Sequence, residues 1–277
     1  MANPLLSDKA LDQSVERAGW AAPQRGAQNS VYGGPTQPND TISPWDPPKA
    51  PQRAMTVNGT ISATLVLLAL LVVSGAVGWF SSKTNPNGSF NFPTIAIVGV
   101  FIGFGCVIGS YVKPRLAKFL APVYALAEGF FVGAVSHAYN SYKDGIVIQA
   151  IGATVAVFAV MLFLYRTRII KVTDKFRRIV IGATMGIALL YLVSFVFSIF
   201  GATPSFINSP SLLGIGFSVL AIVIAASNLA LDFDVIERGV ARQLPKEMEW
   251  VCALGLVVTL VWLYLELLRL LAKLNRR

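Results

Sequence analysis

Residues 61–80 read ISATLVLLALLVVSGAVGWF, a run of 20 without an ionisable side chain. Coiled as an α-helix at about 1.5 Å per residue, such a run crosses a hydrocarbon core of about 30 Å. Six more runs of the same kind follow, near Phe92–Tyr111, Leu120–Asn140, Gly145–Tyr165, Ile179–Phe200, Leu212–Leu231 and Trp250–Leu271. The whole chain of 277 residues is 55% hydrophobic and 13% charged, with a mean hydropathy of +0.62. Soluble domains carry about 25% charged residues to keep their surface wet. A water-soluble fold cannot hide seven such runs. The fold class that follows is an all-α membrane protein, a bundle of seven transmembrane helices. Short connections make neighbouring helices antiparallel.

Residues 1–56 differ in kind. They hold eight of the 15 prolines (Pro4, Pro23, Pro35, Pro38, Pro44, Pro47, Pro48 and Pro51) and few aliphatic side chains. A segment of that composition buries too little apolar surface to offset its ordering entropy. The sequence therefore predicts a disordered, proline-rich tail over 1–56, ahead of a transmembrane domain over 57–277. Five basic and five acidic residues cancel within the tail, so the formal charge of +9 resides in the membrane part. With no apolar stretch before residue 56, the first span is expected to direct insertion itself. A passive extension is the preferred role for the tail, with docking as the alternative.

Loop charges predict the orientation. Lys113, Arg115 and Lys118 follow the second run; Arg166, Arg168, Lys171, Lys175, Arg177 and Arg178 follow the fourth; Arg238, Arg242 and Lys246 follow the sixth. The opposite loops hold Lys83 and Lys143. Because cytoplasmic loops are enriched in Lys and Arg, the basic loops and the tail are expected in the cytoplasm of a cell membrane. The C-terminal Arg269, Lys273, Arg276 and Arg277 then oppose the rule, which leaves a re-entrant last segment open. Glycines four apart (Gly99/Gly103, Gly105/Gly109, Gly129/Gly133 and Gly182/Gly186) are expected to bring helix backbones close.

Ionisable groups inside apolar runs are costly and mark candidate sites. Four qualify: Glu128, Asp232, Glu266 and Arg269. Glu266 and Arg269, three apart on one helix face, are expected to pair locally. Glu128 has no basic residue within a turn and is a candidate for binding a proton. Asp232 closes the sixth run near the basic side, with Asp234 just beyond it. His137 is expected to be an interfacial hydrogen-bonding residue. As the only histidine it rules out a multi-histidine metal site and the HExxH motif, and no GxSxG-like turn accompanies it. Cys106 and Cys252 lie in apolar runs with no CxxC between them, and are expected to be buried apolar groups. Neither an enzyme, a metal centre nor a cofactor is expected. The basic loops face lipid headgroups, so nucleic acid is not implied as a partner.

The stretches VYALAEGFFVGAVSHAY (123–139), GATVAVFAVML (152–162), LDFDVI (231–236) and ALGLVVTLVWLYLELLRLL (253–271) resemble the Bax inhibitor-1/YccA-like membrane proteins, in particular a bacterial subgroup. The resemblance covers the membrane part and not the tail. It implies a central last helix flanked by two three-helix layers, and a pH-sensitive calcium leak. In characterised members an aspartate ending the sixth helix and another within the seventh open and close the cytoplasmic side. Asp232 and Ile236 match the D-x-x-x-I context of the first. An ungapped alignment puts Thr259 at the position of the second, and Glu266 falls two turns later.

On this reading Asp232, Glu128, Asp234 and Thr259 form the candidate ion path and pH sensor, with Glu128 supplying the missing carboxylate. Lys113 and Arg115 are the candidate basic latch on Asp232. Calcium, which prefers carboxylate and carbonyl oxygens, is the candidate permeant ion. The alternatives are a small-solute transporter, or a non-transporting regulator that binds a membrane protease or quality-control partner. Lipids are partners in every case.

Overall fold

The computed structural model describes residues 54–84, 90–91, 94–199 and 209–276. The predicted disordered tail falls, up to residue 53, outside the described residues. Among those described there are seven α-helices: α1 (Val57–Ser81), α2 (Thr94–Val112), α3 (Ala117–Tyr142), α4 (Ile146–Arg166), α5 (Asp174–Ile199), α6 (Leu212–Ala241) and α7 (Met248–Asn275). A two-residue ladder, Lys83–Thr84 against Phe90–Asn91, joins α1 to α2. Local chemistry sets several ends. The Thr56 hydroxyl accepts the Gly59 N–H at 3.0 Å and starts α1, and Ser211 does the same for Gly214 at 3.1 Å to start α6. Gly145, at φ 81, turns the chain from α3 into α4 in a backbone region that favours glycine.

Six helices are long and apolar enough to cross a membrane, and α2 contributes the shorter apolar stretch Val98–Val112. Their outer faces are apolar: Phe80, Phe119, Ile148 and Ile179 are each at least two-thirds exposed. Lipid is the solvent that such a surface fits, and the chain is a multi-pass membrane protein. Helix α7 is the exception. Leu254, Val257, Leu263 and Leu268 have almost no exposed surface, because α7 runs through the middle of the bundle. Helices α1–α3 form one layer beside it and α4–α6 the other, as the resemblance implied.

The two layers are held differently. A Cβ on Gly133 would overlap the Gly75 carbonyl, and one on Gly78 would overlap that of Phe130, so α1 and α3 touch backbone to backbone. A Cβ on Gly99 would lie 2.9 Å from the Ala127 carbonyl oxygen, closing α2 onto α3. The expected close approach thus holds for Gly129/Gly133 and Gly99. It does not hold for Gly105, Gly182 or Gly186, where a Cβ would meet nothing within 4 Å. Four-residue spacing flattens a helix face without deciding that another helix lies on it.

Two further expectations change. Helix α6 does not end at Leu231 but runs to Ala241, so Asp232 lies nine residues, or about 14 Å, inside its C-terminus. Helix α7 is not re-entrant. It is one continuous helix of 28 residues, about 42 Å long, from the end that carries the basic loops to the far end.

Candidate functional site

Asp232 lies on α6 where that helix meets the first half of α7. It lines a cavity of about 190 Å³ with Tyr111, Pro114, Val235, Met248, Val251, Cys252 and Gly255. Met248, Val251, Cys252 and Gly255 follow the i, i+3, i+4, i+7 spacing of a single α-helical face, so α7 presents them together. Gly255 leaves room for two polar neighbours. A Cβ there would stand 3.6 Å from the Tyr111 hydroxyl and 3.9 Å from Asp232 Oδ1. The Thr259 hydroxyl is the next polar group beside Asp232, and it donates to the Gly255 carbonyl at 3.1 Å. Among the described residues Asp232 Oδ2 is shut away from solvent with no hydrogen-bond partner. A buried carboxylate oxygen without a donor is costly. Here the site carries that cost.

The charges around Asp232 are arranged otherwise than the sequence suggested. Residues two apart on a helix do not share a face, and Asp234 turns away from the cavity. Its carboxylate is clamped by Arg177 at 2.8 Å and by Arg238 of its own helix. One turn on, Glu237 accepts from Arg168 at 2.6 Å and from the Tyr165 hydroxyl. These ties fasten α6 to the start of α5 and the end of α4, so Asp234 is a fastening and not a free charge at a mouth. Among the described residues neither Lys113 nor Arg115 pairs with Asp232; the residue between them, Pro114, is the one that reaches the cavity.

Glu128 is not among the residues lining the Asp232 cavity. It lies on the face of α3 turned to α2, where a Cβ on Gly103 would be 3.1 Å from its Oε2 and 3.4 Å from the Tyr124 ring. On the side of α3 that faces α7, the Ser136 hydroxyl meets the Tyr264 hydroxyl at 2.6 Å. Thr259 does lie beside Asp232, where the alignment puts it. His137 stands edge-on to Trp79, ring centroids 5.2 Å apart, between α3 and α1.

At the far end Glu266 and Arg269 pair as expected, at 3.2 Å. Glu266 Oε1 also accepts from the Tyr191 hydroxyl at 2.6 Å and from Trp262 Nε1 at 3.3 Å, and Arg269 donates to Tyr191 at 2.5 Å. The pair is a tie between α7 and α5. Lys273, which the charge rule treats as a loop cation, is inside the bundle at 2% exposure. It donates to the Gly214 carbonyl and the Ser218 hydroxyl, both at 2.8 Å.

Sequence reasoning missed Tyr111 and Cys252, which look like filler in apolar runs, and Glu249. The Glu249 carboxylate is 4% exposed and accepts from both the N–H and the hydroxyl of Thr56, each at 3.0 Å. It sits on the N-terminus of α1, where the helix dipole favours an anion. The Met55 N–H bonds to the Leu244 carbonyl at 2.7 Å, so residues 54–56 are clasped to the α6–α7 turn. The signal for Glu249 was an acid one residue outside the last apolar run. Among the described residues no three or more His, Cys, Asp or Glu side chains converge as metal ligands.

The family model described as Bax inhibitor 1 like matches residues 3–276. The match extends through the tail, beyond the membrane part that carried the resemblance in the sequence. No curated protein matches the chain.

Proposed function

We propose that this membrane protein, which belongs to the Bax inhibitor 1 like family, lets small cations, calcium among them, leak across a cell membrane under control of pH. The basic loops and the N-terminal tail lie in the cytoplasm, and the Asp232 cavity is the cytoplasmic vestibule. One observation carries the reading: a carboxylate at membrane depth with an unpartnered oxygen, in a cavity, with no cation paired to it among the described residues. A retained charge of that kind is a site by default, since a purely structural acid would be paired.

The oxygens available are few. Asp232, Thr259 and Tyr111 together fall short of the roughly 6–8 that hold calcium tightly. Such a set favours brief occupation over storage, which suits passage. No basic group among the described residues latches Asp232, so its protonation breaks no ion pair and only removes negative charge from the vestibule. Cation flux should therefore fall as pH falls.

Calcium entry into liposomes holding the purified protein, followed across a series of pH values, tests this. Wild type should lose flux with acidification. Asp232→Asn should have low flux, reduced several-fold at neutral pH, with the pH dependence flattened. Glu128→Gln, away from the vestibule, should behave as wild type. Equal flux and equal pH profiles for Asp232→Asn and wild type would sink the reading.

A further inference from the structure

Among the described residues, the far end of α7 holds more positive than negative charge. Arg269, Lys273 and Arg276 are spaced i, i+4, i+7 and share one face. With Tyr139 of α3 and Ala272 they line a cavity of about 300 Å³. Three cations meet one carboxylate there, Glu266, and its acceptor capacity goes to Tyr191, Trp262 and Arg269. Arg276 stacks its guanidinium 4.8 Å from the Tyr142 ring centre and joins no ion pair among the described residues.

Lys273 is the decisive group. Cations near a helix C-terminus are ordinary, because the dipole there favours them and water solvates the head. Lys273 is 2% exposed, and its two protein acceptors, Gly214 O and Ser218 Oγ, are neutral. Those acceptors belong to the first turns of α6, whose Ser211 cap marks the positive end of that helix's dipole. Burying a charge without an anionic partner is costly. An anion in the cavity would offset the charges of Lys273 and Arg276 at once.

We propose that this cavity binds a phosphate oxyanion. Arginine forks match phosphate geometry, an ammonium adds a point charge, and the Tyr139 hydroxyl can donate to a further oxygen. The site lies at the opposite end of α7 from Asp232 and does not depend on cation conduction.

The phosphate is either free or carried by a lipid headgroup, and binding to the delipidated full-length protein separates the two. In nanodiscs of phosphatidylglycerol mixed with phosphatidylcholine, retained lipid is counted by native mass spectrometry; in detergent, inorganic phosphate is titrated by calorimetry. Wild type should retain phosphatidylglycerol, or bind phosphate, about tenfold more tightly than Arg276→Ala and Lys273→Gln. Preference for phosphatidylglycerol over phosphatidylcholine assigns the headgroup; phosphate binding without lipid preference assigns the free ion. Arg276 is exposed, so its variant keeps the fold even if Lys273→Gln does not. Lys143→Ala removes a cation outside the cavity at the same end. Binding by none of the proteins, or an equal loss in Lys143→Ala, overturns the site.

Discussion

The layer α1–α3 and the layer α4–α6 flank the same central helix, yet they are built on opposite principles. In the first, glycines let backbones touch: Gly133 lies against Gly75, Gly129 against Leu71, and Gly78 against Phe130. In the second, Gly152, Gly182, Gly186 and Gly216 meet nothing, and polar side chains join the helices beside an apolar core shared by α4, α6 and α7. Asn228 reaches Thr184 at 2.7 Å, Arg177 reaches Asp234 at 2.8 Å, and Tyr191 reaches Glu266 at 2.6 Å. Lipid tails give helices no hydrophobic reason to associate, so close van der Waals contact and interhelical hydrogen bonds share the task. Backbone contact has one fitting geometry, whereas a few side-chain bonds can break and re-form. Asp232 lies on the second layer.

That contrast predicts where substitutions hurt. The largest effect should come from Glu266→Ala, because polar groups tie α5 to α7. Removing the carboxylate leaves Arg269 at membrane depth without its charge partner. Loss of one member of a buried pair costs about 3–5 kcal/mol. The low end applies, since about a quarter of the Arg269 side chain is exposed. Thermal unfolding of the purified protein in detergent should show a large drop, partly restored in Glu266→Gln, which keeps an acceptor for Tyr191. An unchanged midpoint would mean that the tie between α5 and α7 holds nothing.

Gly133→Ala should come next. The added methyl has no room beside the Gly75 carbonyl, so α1 and α3 must separate. Overpacking costs about 1–3 kcal/mol, against a gain of up to about 1 kcal/mol from replacing glycine in a helix. The expected net is a loss of about 1–2 kcal/mol, read in the same unfolding measurement. A neutral result would show that the glycine seam of the first layer has slack, and the contrast between layers would fall with it.

Much of this is legible in the sequence, and the failures share one physical cause. Apolar runs locate all seven helices because the bilayer imposes a length that composition reveals directly. They misjudge α6, since Asp232, Asp234, Glu237 and Arg238 lower hydropathy over a stretch that stays helical. Those groups pair with Arg177, Arg168 and Tyr165 or face a cavity, and hydropathy cannot register partners. The C-terminal cations oppose the loop-charge rule for the same reason: Arg269 and Lys273 look like loop charges, but they lie inside the bundle with hydrogen-bond partners there. Thr259 is found through alignment to the family. Helical spacing alone turns Asp234 away from Asp232, and its pairing with Arg177 shows only in the fold. Tyr111 and Cys252 need the tertiary contact between α2, α6 and α7, which no local pattern encodes.

The smallest effect, and the sharpest check on the second layer, belongs to Gly182→Ala. Nothing lies within 4 Å of the new methyl, so the cost seen at Gly133 is absent. What remains is the unfolded chain's lost freedom and the better helix propensity of alanine, a gain of about 0.5–1 kcal/mol. Stability should rise slightly or stay level, with calcium flux unchanged. A loss as large as that of Gly133→Ala would mean that the face of α5 carrying Gly182 is covered in the membrane by something outside this chain's own helices. A second copy of the chain, detected by crosslinking in the bilayer, would then be the first candidate. The loose layer would be loose only in the single molecule.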